Sequence, residues 1–385
     1  MRVISVNNSE NYKDIVENIF GKDTCGIDVN KGATNNVIGA LNHTQFGAFT
    51  TSFKKRLERL NTLYSSHGNL QDLLNTINQV ADNKNWEGAY AEIVSYDYLN
   101  SNNDCLSEPI ALEKTVPATE TIAGNLGYQN ANFDGEYKDF NICFDVKILS
   151  DKTGMILSGI FKEVQKKTGR SNFSISPEYP IDIDYEIFQK NRRLLLDELL
   201  SFLTGDQEPK SIKSQIVPDL RYAIIWGSGV LMTGSTYTPY LHAKNHHNLL
   251  FKHAKKFSKV NSSLIVFVVF PWFSEKISSL GKANEIFYRS FSRRFFCEYA
   301  AKPVKAKDIF NNYSGEDSVF DVTRKLSGVL FLEDNSITAN TPTEQNIEGY
   351  AYLNPNADQK IGRGIFIDYL NTLQFHIDDF EYDNY

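Results

Sequence analysis

The sequence predicts an α/β fold: a mixed central sheet flanked by helices, with extra helices at the N-terminal end and in an insertion. Three observations predict it. First, Phe140, Ile142, Phe144, Val146 and Ile148 fall on one parity, and Asn141, Cys143, Asp145 and Lys147 on the other. That strict alternation is the pattern of a strand with one apolar face. Second, Tyr222 to Trp226 and Leu264 to Phe270 are short continuous apolar runs, each followed directly by Gly or Pro, as suits buried central strands. Val329 to Leu332 is a third, weaker run. Third, apolar residues recur at spacings of three and four between these runs, the period of amphipathic helices.

Taken in order, residues 1 to 50 are rich in Asn, Thr and Gly and predict one short strand and one helix. Phe53, Leu57, Leu60, Leu63 and Tyr64 mark a helix that breaks at Ser66 to Asn69, and a second helix follows from Leu70 to Val80. From Asn85 to Leu99, Trp86, Ala89, Tyr90, Ile93, Tyr96 and Leu99 form an apolar arc at about 100° per residue. A loop with a strand at Glu108 to Glu113 leads to a hairpin beginning at Asn132. Thr153 to Lys167 reads as a helix ended by Gly169, residues 172 to 177 as a strand, and Ile187 to Leu203 as a strong amphipathic helix. Gly205 to Lys213 reads as an exposed linker. The expected divisions are 1–80 (helical), 81–180 (first part of the core), 181–215 (helical insertion) and 216–385 (remaining strands, a basic helix and an acidic tail).

A chain of 385 residues can bury a large core. Its composition, 41% hydrophobic and 23% charged, is that of an ordinary soluble globular protein. No apolar run of roughly 18 residues exists and the start carries no signal-like apolar region, so neither a membrane partner nor export is expected. Cys25, Cys105, Cys143 and Cys297 are widely spaced and read as reduced thiols of a cytoplasmic protein. The net charge of −7 argues against a protein that coats nucleic acid nonspecifically, but leaves room for a local basic groove. Lys244 to Lys259 holds five lysines and no acid, whereas Asp378 to Asp383 holds four acids and no base.

The hairpin carries the candidate chemistry. With Lys138 and Asp139 as the loop, Tyr137 faces Phe140 and Asp134 faces Cys143. Directly opposed residues share a face, so Asp134, Glu136, Asp145 and Lys147 crowd one side, and Phe133, Tyr137, Phe144 and Val146 line the other. Any even-length loop keeps Asp134 with Asp145; an odd one separates them. Two carboxylates are hard oxygen ligands suited to Mg²⁺, and a nearby lysine can orient water or stabilise charge developing on phosphate. The plain alternative is a cross-strand Asp–Lys pair on a solvated face. Glu92 lies within the edge of the apolar arc of its helix, where a carboxylate needs a reason to be. Asp97 lies inside the arc as well and is an alternative contributor, while Glu87 points further away and is expected to be solvated.

Asp134, followed by Asp145-Val146-Lys147 on the next strand with a glutamate on an upstream helix, resembles the PD-(D/E)XK nuclease superfamily. The resemblance covers roughly residues 84 to 170, and Phe133 stands where the family name places proline. It implies a restriction-endonuclease-like fold and Mg²⁺-dependent hydrolysis of DNA phosphodiesters, with Mn²⁺ as a substitute. It further implies that Asp134, Asp145 and the Val146 carbonyl bind the metal, that Lys147 positions or activates the nucleophile, and that Glu92 completes the acidic cluster. Lys166, Lys167 and Arg170, late on the following helix, become candidate phosphate contacts, unless they only complement the helix dipole. The size suggests a bacterial restriction or phage-defence enzyme, by analogy alone. Cutting both strands of a duplex needs two sites or two visits, so a homodimer is expected. An RNA nuclease, or a nuclease fold that binds nucleic acid without turnover, are the other readings.

Outside that span, Lys252, Lys255, Lys256 and Lys259 recur at spacings of three and four and are expected to share one face of a helix toward DNA, with Leu249, Leu250 and Phe257 buried. His242, His246, His247 and His253 could suggest zinc, but interleaved lysines favour the basic helix. Gly227 to Gly234 lacks the spacing and the lysine of a nucleotide cradle. Phe287 to Phe296 mixes aromatics with arginines and reads either as a nucleic-acid contact or as an amphipathic core helix.

Overall fold

A computed structural model describes residues 10–22, 35–82, 84–101, 107–149, 152–179, 185–204, 208–227, 239–270, 282–310, 312–337, 346–365 and 375–381. The chain forms two compact units, one from residues 1–149 and 250–385, the other from 150–249. Cys25, Cys105 and the glycine-rich stretch after Gly227 fall outside the described residues.

The first unit is built on a seven-stranded mixed sheet in the order β1-β2-β3-β7-β8-β9-β10. Its strands are β1 (Ala111–Pro117), β2 (Asn130–Tyr137), β3 (Ile142–Ile148), β7 (Ser262–Val269), β8 (Gly328–Asp334), β9 (Ile347–Leu353) and β10 (Phe375–Asp378). β1, β2 and β3 run antiparallel in sequence, and β3, β7 and β8 form a parallel centre. β9 turns back antiparallel and β10 joins it in parallel. Leu264 to Phe270 is buried throughout, which explains why this central strand reads as an unbroken apolar run rather than an alternation.

Helices α1 (Glu10–Phe20), α2 (Asn36–Leu41), α3 (Gly47–His67), α4 (Leu70–Val80) and α5 (Trp86–Leu99) precede the sheet. No strand occurs among the described residues of the first fifty. α3 ends where Gly68 adopts a left-handed φ of 82°, the break expected between the two helices. α5 packs against β3 and β7 and is buried nearly all round, so its apolar arc is the whole helix rather than one face. Even Glu87, expected in solvent, is half-buried. Beyond the sheet, α10 (Lys282–Cys297) buries Phe287, Tyr288, Phe291, Phe295 and Phe296, and Tyr288 stacks on Phe331 of β8. The core-helix reading of that aromatic stretch is therefore the one the fold adopts.

The second unit holds α6 (Lys152–Thr168), α7 (Tyr185–Lys190), α8 (Arg192–Phe202), α9 (Pro239–His246) and a three-stranded antiparallel sheet in the order β4-β6-β5. Those strands are β4 (Phe173–Glu178), β5 (Lys210–Lys213) and β6 (Arg221–Trp226). Its own core includes Ile160, Val164, Phe173, Ile175, Leu195, Leu199, Tyr222 and Ile224. The insertion is thus larger than the expected 181–215. Tyr222 to Trp226 is not a core-sheet strand: Tyr222 and Ile224 are buried while Arg221, Ala223 and Ile225 are exposed, so it alternates as one face of a small sheet should. The expected linker contributes β5.

Candidate active site

The β2–β3 connection is four residues long: a 3-10 turn over Lys138–Phe140, closed by Asn141 at φ 54°, a conformation asparagine tolerates. The expected two-residue loop is therefore wrong, but the even length keeps the register that matters. Gly135 opposes Phe144, Glu136 opposes Cys143 and Tyr137 opposes Ile142, so one step further brings Asp134 beside Asp145. Backbone pairing ends at Gly135. There the Val146 N–H donates to Asp134 Oδ2 at 2.5 Å, so a side chain takes the place of the strand carbonyl.

One part of the expected face assignment fails. Phe133 packs with Val116, Ala131 and Cys143 on the side of the sheet opposite Phe144 and Val146, which lie in the main core. The cause is Glu113 on β1, whose φ of 55° reverses the alternation between Leu112, in the main core, and Val116, in the small cluster. β2 changes face at the opposing position, and Asp134 sits at that change. Gly135 is required here because a Cβ would overlap the Phe144 ring.

Around this point the charged groups converge. Asp145 is fully buried. Its Oδ2 lies 2.7 Å from Lys147 Nζ and its Oδ1 2.7 Å from Lys256 Nζ. Lys147 Nζ also donates to the Val146 carbonyl at 2.7 Å and lies 3.7 Å from Asp134 Oδ2. Helix α5 is tied in by Tyr96, whose hydroxyl donates to the Asp134 carbonyl at 3.1 Å. Glu92, one turn earlier, accepts from the Thr76 hydroxyl at 3.4 Å.

The electrostatics follow from crowding in a dry place. Burial pushes the Glu92 carboxyl up to about 8, reinforced by the Asp134 and Glu113 carboxylates and opposed by Lys147. Burial and Asp145 raise Asp134 to about 6 against the pull of Lys147 and the Val146 N–H. Burial alone would lower the Lys147 ammonium, but Asp145 and Asp134 outweigh it and the net shift is upward. Burial, then Lys147, depress the His253 imidazole to about 4, so it is neutral at physiological pH.

Asp97 is excluded from this group by its own partners. Arg59 clamps it through Nε at 2.8 Å and Nη2 at 2.7 Å, and Arg56 Nε reaches it at 3.2 Å. Arg56 also contacts Tyr90 and Asp334, making a buried network that ties α3, α5 and β8 together. Glu92 instead accepts from Thr76, and its carboxyl is raised by Asp134 and lowered by Lys147, which leaves it as the candidate on this helix.

The basic residues divide differently from expectation. Lys244 to Lys259 is not one α-helix: α9 is followed by a 3-10 helix over His247–Lys256. With about three residues per turn, Lys252 and Lys255 stack on one side and Lys256 turns away. Lys252 is exposed, Lys255 lies 5.3 Å from the centre of the Tyr128 ring, and Lys256 is buried on Asp145, so it is no part of a solvated face. Leu250 and Phe257 are buried as expected, and Leu249 only in part. Lys166, Lys167 and Arg170 are exposed on the second unit, with Lys167 3.7 Å from Glu163 and Arg170 donating to the Leu203 carbonyl. His247 hydrogen-bonds the Lys244 carbonyl, and no group of three or more His, Cys, Asp or Glu side chains among the described residues is drawn together as a ready-made metal cage.

The donor set nonetheless fits a hard cation. Lys147 Nζ stands as an ammonium among Asp134 Oδ2, Asp145 Oδ2 and the Val146 carbonyl, the groups that the resemblance implies for Mg²⁺, so a positive charge already occupies their shared focus. Sequence reasoning assigned Lys256 to nucleic-acid contact rather than to Asp145, and it did not single out Glu113, the point where β1 changes face. The left-handed φ of Glu113 left no trace in the sequence, and Lys256 lay in a run read as solvated. No family model, curated protein or solved structure matches the chain. No described helix is long and apolar enough to cross a membrane.

Proposed function

We propose that the chain is a metal-dependent endonuclease that hydrolyses DNA phosphodiesters, with Mg²⁺ as the resident cation, Mn²⁺ as a substitute, and two copies acting on a duplex. The reading rests on the resemblance of Asp134 and Asp145-Val146-Lys147 to the PD-(D/E)XK pattern. The observation that carries it is the Lys147 ammonium at the focus of Asp134, Asp145 and the Val146 carbonyl, beside a glutamate held near neutrality. Asp134, Asp145 and the Val146 carbonyl would hold the cation. When bound, it would supply Lewis acidity toward a phosphate oxygen and make a water more acidic.

The protein's own groups supply the rest. Lys147 Nζ, freed from the carboxylates, donates to a phosphate oxygen or to the attacking water. Glu92, with its carboxyl at about 8, is suited to exchange a proton near neutral pH. Exposed Lys252 and half-buried Lys255 are the lysines this reading assigns to sequence-independent phosphate contacts. Arg170, Lys166 and Lys167 offer the same on the second unit. A restriction or phage-defence role extends the analogy.

The test is cleavage of plasmid and phage DNA with Mg²⁺ by wild type and Lys147→Ala, with single-stranded RNA as a parallel substrate. Cleavage by wild type that the substitution abolishes is the expected result; equal activity would remove Lys147 from the chemistry. A second reading, a nuclease fold that binds without turnover, is favoured by the two lysines that already neutralise Asp145. DNA binding without cutting across several divalent ions would select it.

A further inference from the structure

Lys256 belongs to no part of the motif, yet it is the more buried of the two lysines on Asp145. Its side chain is 8% exposed against 29% for Lys147, and it takes the Asp145 oxygen that Lys147 does not. Its ammonium also lies 5.3 Å from the centre of the Phe133 ring, so an apolar face borders the charge beside Asp145. The backbone just after it is pinned as well: the Phe257 carbonyl accepts from Ile122 N at 2.9 Å, Ser258 N donates to Lys325, and Lys259 N donates to Glu120. Lys147, although its backbone is paired within β3, keeps a side chain that is 29% exposed and reaches three oxygens rather than one.

We propose that Lys256 is a positioning residue of the cation site: it holds Oδ1 of Asp145 permanently, so that Oδ2 stays aimed at the place where Lys147 Nζ now sits and where a divalent cation exchanges for it. This rests on the metal-site reading above but not on DNA cleavage. Asp145 is bound through both oxygens, and a carboxylate with one oxygen released can rotate unless the other is fixed. Lys256 supplies that fixed end, as outer partners of metal ligands do. Lys147 is then the removable half of the pair. Removing its ammonium takes away a competitor and a like charge, so a cation should bind more tightly without it.

The test is a double-mutant cycle on the full chain, with Mn²⁺ affinity read by calorimetry or by the electron-spin signal of free Mn²⁺. The four proteins are wild type, Lys147→Met, Lys256→Gln and the double variant. Binding at this site is identified by its loss in Asp145→Asn. Lys147→Met should tighten Mn²⁺ binding about tenfold in the presence of Lys256, and less than about twofold in Lys256→Gln, because Oδ2 is no longer held for the cation. The cycle removes the simple loss of Lys256 charge, which acts equally on both arms. Equal tightening in both backgrounds, or none in either, overturns the proposal. Lys256→Met, closer in shape, takes the place of the glutamine variant if that one fails to fold. Lys256→Arg, which keeps the charge, should restore most of the tenfold response. Wild type that binds Mn²⁺ here but cuts no DNA would defeat the nuclease reading alone; wild type that binds no Mn²⁺ here would overturn this inference too.

Discussion

Consider Glu92→Gln, which keeps the shape of the side chain and removes its titration. In the folded chain the Glu92 carboxyl stands at about 8 against an ordinary 4.5, chiefly because it is buried and then because Asp134 and Glu113 face it. A carboxyl raised on folding binds its proton more tightly in the folded state, so its contribution to stability is full below the unfolded value. That contribution is lost as pH rises toward the folded one. Asp134 acts in the same direction but is spent by about 6. His253, depressed to about 4, acts oppositely: its contribution is present above the ordinary 6.5 and is lost as pH falls through 4. Above about pH 6.5, therefore, Glu92 alone among these three should govern the slope. Integrating a single site between about pH 6.5 and about pH 8.5 gives a loss of about 2 kcal/mol in the metal-free protein. Urea unfolding midpoints of the first unit at several pH values, followed by tryptophan fluorescence with chelator present, measure it. Wild type should weaken across that range while Glu92→Gln stays nearly level, and Mg²⁺ should restore the wild type at the upper end, since a ligand for the folded state alone stabilises it. Parallel curves for the two proteins would show that Glu92 is not held protonated by its neighbours, and the account of the site's electrostatics would fail.

Gly135→Ala should destabilise by about 1–3 kcal/mol through overlap with the Phe144 ring, and Phe144→Leu in the same chain should recover part of the loss, as thermal melts would show. Arg56→Met leaves Asp97 and Asp334 short of a buried partner and should cost about 3–5 kcal/mol, with no change in Mn²⁺ affinity because that network lies apart from the cation oxygens. Lys252→Ala with Lys255→Ala should fold normally, weaken DNA binding and lower the slope of log affinity against log salt by up to about 2. An unchanged salt slope in a filter-binding series would move the nucleic-acid face elsewhere.

Much of this was legible in the sequence because period carries it. Helix α5, the alternating β3 and the break at Gly68 are written in local spacing; the even hairpin length is read from the agreement of Phe133 with the apolar parity, and it holds although Phe133 itself turns to the other face. The second unit was harder to see. Its β6 carries an unbroken apolar run as β7 does, and only partners distant in sequence decide that β7 lies between two parallel strands while β6 faces solvent on one side. Asp97 shows the same limit. It sits on the buried helix as plausibly as Glu92 does, and it takes Arg56 and Arg59 from another helix to make it structural.

Lys256 marks where that limit touches function. A run of five lysines without an acid reads as a solvated face, because charge in series is usually solvated. The 3-10 geometry divides the run, however: Lys252 remains exposed and Lys255 half-buried over Tyr128, while Lys256 is carried inward against an aspartate more than a hundred residues earlier. A buried ammonium is tolerable only beside a carboxylate, and a buried carboxylate between two ammoniums is neutralised more than it needs to be for stability alone. One of the two lysines is therefore free to leave without stranding Asp145. The exposure of Lys147 and the confinement of Lys256 say which. The cation exchange proposed above asks for that division: Lys256 stays on Asp145 Oδ1 while Lys147 leaves Oδ2.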